Sequence, residues 1–225
     1  MSKPSAFLAA ALIACTGSAA ATTITTLVDG TQTYTVSKKD DVITNIALPQ
    51  AQTDGVLIDF TFSFTGTLQN NDYFGLWFNS STGPSFGLKA NCGGDVTGCT
   101  DDLYLRMSGT KGPYMADTNL SANTAYHLYG YLYKSEGSAT YNTLDVWVNP
   151  SDTDLVSLTG ADAHITANTG LTSISTVGIR TANIDGGVVL SATDVNVSAV
   201  PEPGTLALMG LAAAGLGFLR RRKQG

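Results

Sequence analysis

Hydrophobic and polar residues alternate with a period of two through much of the chain. From Val56 to Thr65 the apolar set Val56, Ile58, Phe60, Phe62 and Phe64 interleaves with Leu57, Asp59, Thr61, Ser63 and Thr65, the signature of a strand with one face in a core. Further strands are predicted at 24–28, 32–36, 42–47, 73–78, 85–90, 103–108, 125–134, 142–149, 174–180 and 187–198. Turn-forming clusters separate them, among them Gln69-Asn70-Asn71-Asp72, Thr82-Gly83-Pro84 and Asp185-Gly186-Gly187. No segment between residues 22 and 200 shows a helical stripe. Short strands without crossover helices imply an all-β fold, an antiparallel two-sheet β-sandwich of jelly-roll type.

The two ends break this pattern. Residues 1–21 hold Lys3, an uncharged apolar run from Ala6 to Ala14 and the small residues Ser18-Ala19-Ala20-Ala21, the layout of a signal peptide cut by signal peptidase. Nine apolar residues are too few to span a bilayer. Leu12-Ile13-Ala14-Cys15 also fits the pattern before a lipidated cysteine, so a lipoprotein start stands as the alternative. At the other end, residues 200–225 comprise Pro201-Glu202-Pro203, an uncharged run from Thr205 to Leu219, and Arg220-Arg221-Arg222-Lys223. As a helix the run is about 22 Å long, short for a hydrocarbon core of about 30 Å. The basic cluster orients it with the C-terminus cytoplasmic and the domain 22–199 outside.

Composition sharpens the division. The whole chain of 225 residues carries a net charge of -6. Between residues 22 and 200 there are 7 basic and 17 acidic residues, and 7 minus 17 leaves -10. Nucleic acid is excluded as a partner, since phosphate binding needs clustered Lys and Arg.

Cys92 and Cys99 close an eight-residue loop and are expected to form a disulfide in an exported protein, contributing roughly 2.5 kcal/mol by loop entropy. Asp95, Asp101 and Asp102 lie in or beside that loop, and their hard oxygen ligands make calcium the one candidate cofactor, in a spacing that matches no standard calcium loop. Catalysis lacks a constellation. Glu136 is the one glutamate between 22 and 200 and sits in the turn Ser135-Glu136-Gly137-Ser138, whereas glycoside hydrolysis takes two facing carboxylates. His127 and His164 have no serine-elbow or cysteine partner in the sequence. If 125–134 and 142–149 pair as a hairpin, its non-core face carries Tyr129, Tyr131, Tyr133, Trp147 and Asp145 beside His127, a set able to stack on sugar rings and bond their hydroxyls. The same aromatics can instead serve only as cross-strand packing.

Two resemblances add to this reading. Pro201-Glu202-Pro203 with its apolar stretch and Arg-rich end resembles the PEP-CTERM sorting signal of exported bacterial proteins. That implies an exopolysaccharide-producing Gram-negative cell, a transmembrane sorting helix, cutting near the motif by the membrane protease exosortase, and release to the outer surface or matrix. The stretches Ala125–Tyr133 and Leu144–Pro150, followed by Ile174–Arg180 and Val188–Val197, resemble the central strands of concanavalin-like, laminin-G-like domains, which implies the jelly roll. Glycanases of that group carry closely spaced glutamates on one strand, and this chain has none. The expectation is therefore a non-enzymatic surface or matrix protein. Its alternatives are a lectin-like module binding the cell's exopolysaccharide and, less supported by the residues, a glycan-degrading enzyme.

Overall fold

The computed structural model describes residues 24–30, 34–37, 41–90, 102–109, 113–115, 118–185 and 187–201. In chain order the elements are β1 (Thr25–Val28), β2 (Tyr34–Val36), β3 (Val42–Gln52), β4 (Gly55–Thr65), β5 (Tyr73–Phe78), β6 (Ser85–Lys89), β7 (Leu103–Arg106), β8 (Tyr126–Tyr133), β9 (Thr143–Val148), α1 (Asp152–Ser157), β10 (Ala163–Thr166), β11 (Ile174–Ala182) and β12 (Val189–Val200). They form two antiparallel sheets. One runs β1-β12-β4-β8-β9-β10, with β2 also pairing β12, and the other runs β3-β11-β5-β6-β7.

The predicted all-β sandwich is thus the observed architecture. The expected transmembrane helix, Cys92, Cys99, Asp95 and Asp101 lie outside the described residues. β10 and α1 are additions to the expected elements. The helix has no buried residue, hence no apolar stripe for periodicity to detect. Its start is nonetheless marked, because Ser151 and Asp154 form a reciprocal capping box. The predicted turns are closed by backbone hydrogen bonds, Asp72 N–H to Gln69 O at 3.0 Å and Gly83 N–H to Ser80 O at 2.9 Å.

The core lies between the sheets. β4 contributes Val56, Ile58, Phe60, Phe62 and Phe64, which meet Phe74, Leu76 and Phe78 of β5, Phe86 and Leu88 of β6, and Leu103 and Leu105 of β7. Phe60 sits 5.9 Å from Phe74, edge-on, and 5.6 Å from Phe86, within the range of favourable aromatic pairs. Both neighbours of β4 hold it in register, with Phe60 opposite Leu128 of β8 and Ile58 opposite Val197 of β12.

A glycine makes room for one of these rings. On β8 the inward sequence is Leu128, Gly130, Leu132, and a Cβ built on Gly130 would lie 2.8 Å from Phe86 Cε2. Phe86, fully buried, occupies the space that any side chain at 130 would need. Gly130→Val is expected to overpack the core and lower stability by about 1–3 kcal/mol, read as a fall in the urea midpoint. An unchanged midpoint would show that Phe86 has space to move.

Candidate functional site

The hairpin expected from the sequence forms, with Tyr129 opposite Trp147 and Tyr131 opposite Asp145. Its outward face, however, is covered at Tyr129 and Trp147. Tyr129 is 4% and Trp147 1% exposed, because the chain after β9 folds back over them. Leu155, Leu158 and Ala161 pack on a second cluster made of Leu57, Tyr129, Tyr131, Trp147 and Val200. Trp147 Nε1 donates to Thr159 O at 3.1 Å, and Leu158 turns the chain in the left-handed region at φ 51°. Tyr129 and Trp147 meet edge-on at 5.7 Å, as packing partners. Over Tyr129 and Trp147 the space a sugar ring would need is filled by the protein's own chain.

The rim of that cluster is polar. Tyr131 and Tyr133 stack at 4.7 Å, and Tyr133 donates to Asp145 Oδ2 at 3.1 Å. Burial, then the Asp145 charge, pushes the Tyr133 hydroxyl up to about 12. Asp145 also bonds His164 Nδ1. A cavity of about 660 Å³ opens here, lined by Tyr131, Tyr133 and Asp145 of the predicted set together with Glu136, Thr159 and Pro201. Glu136 lies in its expected turn, where Ser138 N–H donates to Ser135 O at 2.9 Å and Gly137 takes φ 78°. Asp102, offered as a calcium ligand, is 1% exposed and accepts Leu120 N–H at 3.0 Å through Oδ2. Among the described residues no group of three His, Cys, Asp or Glu side chains is placed to hold a metal.

A different surface gathers more chemistry. The outward residues of the five-stranded sheet form a lattice set by register. Tyr73 lies opposite Ala182 and Lys89; Gly75 lies between Arg180 and Gly87; and Trp77 lies between Gly178 and Ser85. β7 adds Tyr104 opposite Gly87 and Arg106 opposite Ser85. Glycine at 75 is required by the close approach of two rings, since a Cβ there would collide with Tyr104 OH and lie 2.7 Å from Tyr73 OH.

Arg106 is the centre of this lattice. It is 3% exposed, with Nε donating to Ser85 Oγ at 2.8 Å and Nη2 to Tyr73 OH at 2.7 Å. The guanidinium lies 5.3 Å from the Tyr73 ring centre and 5.2 Å from that of Tyr104, and the two tyrosine hydroxyls are 2.5 Å apart. Burial is the main cause that raises the Tyr104 hydroxyl well above its ordinary value. Arg180 pairs with Asp41 through Nε at 2.9 Å and Nη2 at 2.5 Å, and that hydrogen bond raises its pKa. Arg106, Arg180, Lys89 and Tyr73, with Asn70, Asn71, Asn183 and Asp185, line a cavity of about 360 Å³.

Periodicity pointed to the inward residues of β5, β6 and β7 and left these outward ones unread. A signal was present, since three of the seven basic residues between 22 and 200, Lys89, Arg106 and Arg180, fall on outward strand positions. Only pairing brings them to one cavity.

Comparison with known proteins separates tail from domain. Residues 199–223 match the PEP-CTERM protein-sorting motif. The tail is a PEP-CTERM sorting signal. It implies export and a membrane-anchored precursor targeted to exosortase. No curated protein matches the chain significantly. Solved structures similar in fold include alginate lyase Aly36B, at 15% identity over 74% of this chain and 79% of that one, TM-score 0.48. A lectin from Bauhinia forficata in complex with GalNAc matches at 9% identity over 83% and 95%, TM-score 0.48. A legume lectin-like domain from Entamoeba histolytica matches at 10% over 79% and 88%, TM-score 0.40. At these identities and scores the likenesses carry no argument about activity.

His127 supplies a pH handle away from both cavities. Its Nε2 bonds Asp59 Oδ1, and that bond raises its pKa against the opposing effect of burial, with the Asp59 and Asp194 charges adding to the rise. The folded value lies above the unfolded value of about 6.5. The resulting stabilisation is therefore complete below about pH 6.5 and is lost as pH rises through the folded value. Urea midpoints across that window should show Asp59→Asn losing most at the acidic end of it, with the gap to the unmodified protein narrowing as pH rises. A constant gap would count against the linkage.

Proposed function

We propose that this chain is an exported bacterial surface or extracellular-matrix protein that works without catalysis, as a carbohydrate-binding module for the cell's own polysaccharide. The ligand seat is the cavity on the outer face of the five-stranded sheet. The precursor is held by its C-terminal helix and cut by exosortase near Pro201-Glu202-Pro203, freeing the acidic sandwich to the outer surface or matrix.

The observation that carries the binding reading is the lining of the 360 Å³ cavity. Asn70, Asn71 and Asn183 amides, the Tyr73 ring and hydroxyl, and the cations Lys89, Arg106 and Arg180 converge there. Amides and hydroxyls suit sugar hydroxyls, and an aromatic body with a polar tip suits a sugar ring. A non-catalytic role is supported by what surrounds the cavity. Asp185 is the one carboxylate among the described residues of its wall, short of the facing pair of glycoside hydrolysis. The sorting reading is supported by continuity: β12 ends at Val200, inside the matched motif at 199–223.

Each half has its own test. Replacing Pro201, Glu202 and Pro203 together by Ala should leave full-length precursor in the membrane fraction, seen by intact mass; unchanged processing would remove the sorting assignment. Polysaccharide purified from the producing cells should retain the full-length chain in detergent. Ala182→Trp, which fills the cavity from its wall, should abolish retention, while Trp147→Ala should lower stability by about 3–5 kcal/mol and leave retention at temperatures where it is folded. Retention unaffected by Ala182→Trp would discard this seat, and release of new chain ends from the polysaccharide would discard the non-catalytic role.

A further inference from the structure

We propose that the cavity selects an acidic sugar, one whose ring bears a carboxylate, and that Arg106 receives that carboxylate. The inference rests on the carbohydrate-binding reading above and names its ligand class.

The Arg106 charge is buried and has no ion-pair partner among the described residues. A buried guanidinium is expensive unless an anion and a full set of hydrogen bonds offset its lost hydration. The ion pairs of the described residues are His127 with Asp59, His164 with Asp145 and Arg180 with Asp41. Arg106 is in none of them. Its two hydrogen bonds go to the neutral hydroxyls of Ser85 and Tyr73. A guanidinium has five N–H donors, so three are left. They belong to Nη1 and Nη2 and make up the end of the group, the fork that meets a carboxylate through two parallel hydrogen bonds. Arg106 is 3% exposed and part of the cavity wall, and the proposed carboxylate seats against that part of the wall.

The surroundings favour an anion from a short segment over a general polyelectrolyte attraction. The domain's net charge of -10 between residues 22 and 200 repels polyanions at long range. The attraction is confined to this cavity, where Lys89 and Arg180 join Arg106. Arg180 is already neutralised by Asp41, and Lys89 lies 5.7 Å from the centre of the Tyr114 ring, in none of the described ion pairs. Two cations thus lack a charge partner among the described residues, against the single carboxylate of Asp185 on the wall. Tyr73 and Tyr104 hold the guanidinium plane, and Tyr73 OH and Ser85 Oγ fix its rotation. The site is pre-oriented, so little is lost in ordering it when a carboxylate arrives. The Asn70 and Asn71 side-chain amides around it can bond the hydroxyls of the same ring, and Asn183, whose Nδ2 donates to Asn71 O at 3.2 Å, offers its Oδ1.

The test uses the full-length chain in detergent and titration calorimetry with three probes: a uronic-acid oligosaccharide, the same oligosaccharide with its carboxyls reduced to alcohols, and a sulfated neutral oligosaccharide of equal length. The uronate should bind at least about tenfold more tightly than its reduced form, the discrimination of one charge-assisted fork. Arg106→Met should lose that preference, and Arg106→Lys should recover part of it; Lys134→Gln, which removes the same charge elsewhere, should leave it intact. Equal affinity for the uronate and its reduced form would overturn the proposal while leaving a carbohydrate site, and this comparison needs no variant to fold. Tighter binding of the sulfated probe would overturn the carboxylate assignment. Failure of all three to bind would overturn the carbohydrate reading itself.

Discussion

Everything in this domain depends on β4 being buried along its inward face and, at Leu57, on its outer face as well. Its inward residues Val56, Ile58, Phe60, Phe62 and Phe64 are almost wholly excluded from water, and each buried Phe or Ile contributes about 1.5–3 kcal/mol relative to exposure. Hydrogen bonding to β12 on one side and β8 on the other fixes which way those rings point, because a slip of one residue would turn the whole set outward. On the reverse side Leu57 joins a second, smaller core with Tyr129, Tyr131, Trp147 and Val200. A sheet with apolar residues on both faces must be covered twice. The opposing sheet covers one face, and the segment from α1 to Ala161 covers part of the other.

That division of labour explains where a binding surface is left over. The seven-stranded sheet spends its outer aromatics on stability. The outer face of the five-stranded sheet instead carries glycines at 75 and 178, which let the Tyr104 and Trp77 rings lie against the backbone. The flattened face leaves room beside the rings for the Arg106 guanidinium and, beyond it, a cavity. The same residue type that elsewhere serves turns here serves the lattice of a candidate site. The position of the sorting signal fits the arrangement, since β12 sits between β1 and β4 and leads to Pro201, so the chain is committed to the sandwich before the tail begins.

Legibility in the sequence followed the range of the interactions involved. The alternation in β4, the hairpin of β8 and β9 and the turn at Glu136 are local patterns, and each formed as expected. α1 left one local trace, its Ser151 to Asp154 capping box, without the apolar stripe that would have given it weight. β10, four residues at the edge beside β9, is too short to show a period. For the site, Tyr129, Tyr131, Tyr133, Trp147 and Asp145 were correctly brought onto one face, but periodicity says only that residues share a face. It does not say what lies on top of it.

The sequence by itself determined every strand but β10, the direction each side chain takes within those strands, the acidic middle and the sorting address at the end, because all of these are properties of neighbours along the chain. The tertiary structure alone decided which outward face meets water. Leu155, Leu158 and Ala161 cover Tyr129 and Trp147 on the face that the sequence pointed to, and strand pairing assembles the other from Tyr73, Lys89, Tyr104, Arg106 and Arg180. The physical reason is that solvent exposure and charge compensation are set by contacts between segments distant in the chain. Arg106 reads as an ordinary basic residue of a β-strand until packing removes its water and, among the described residues, supplies no carboxylate in return.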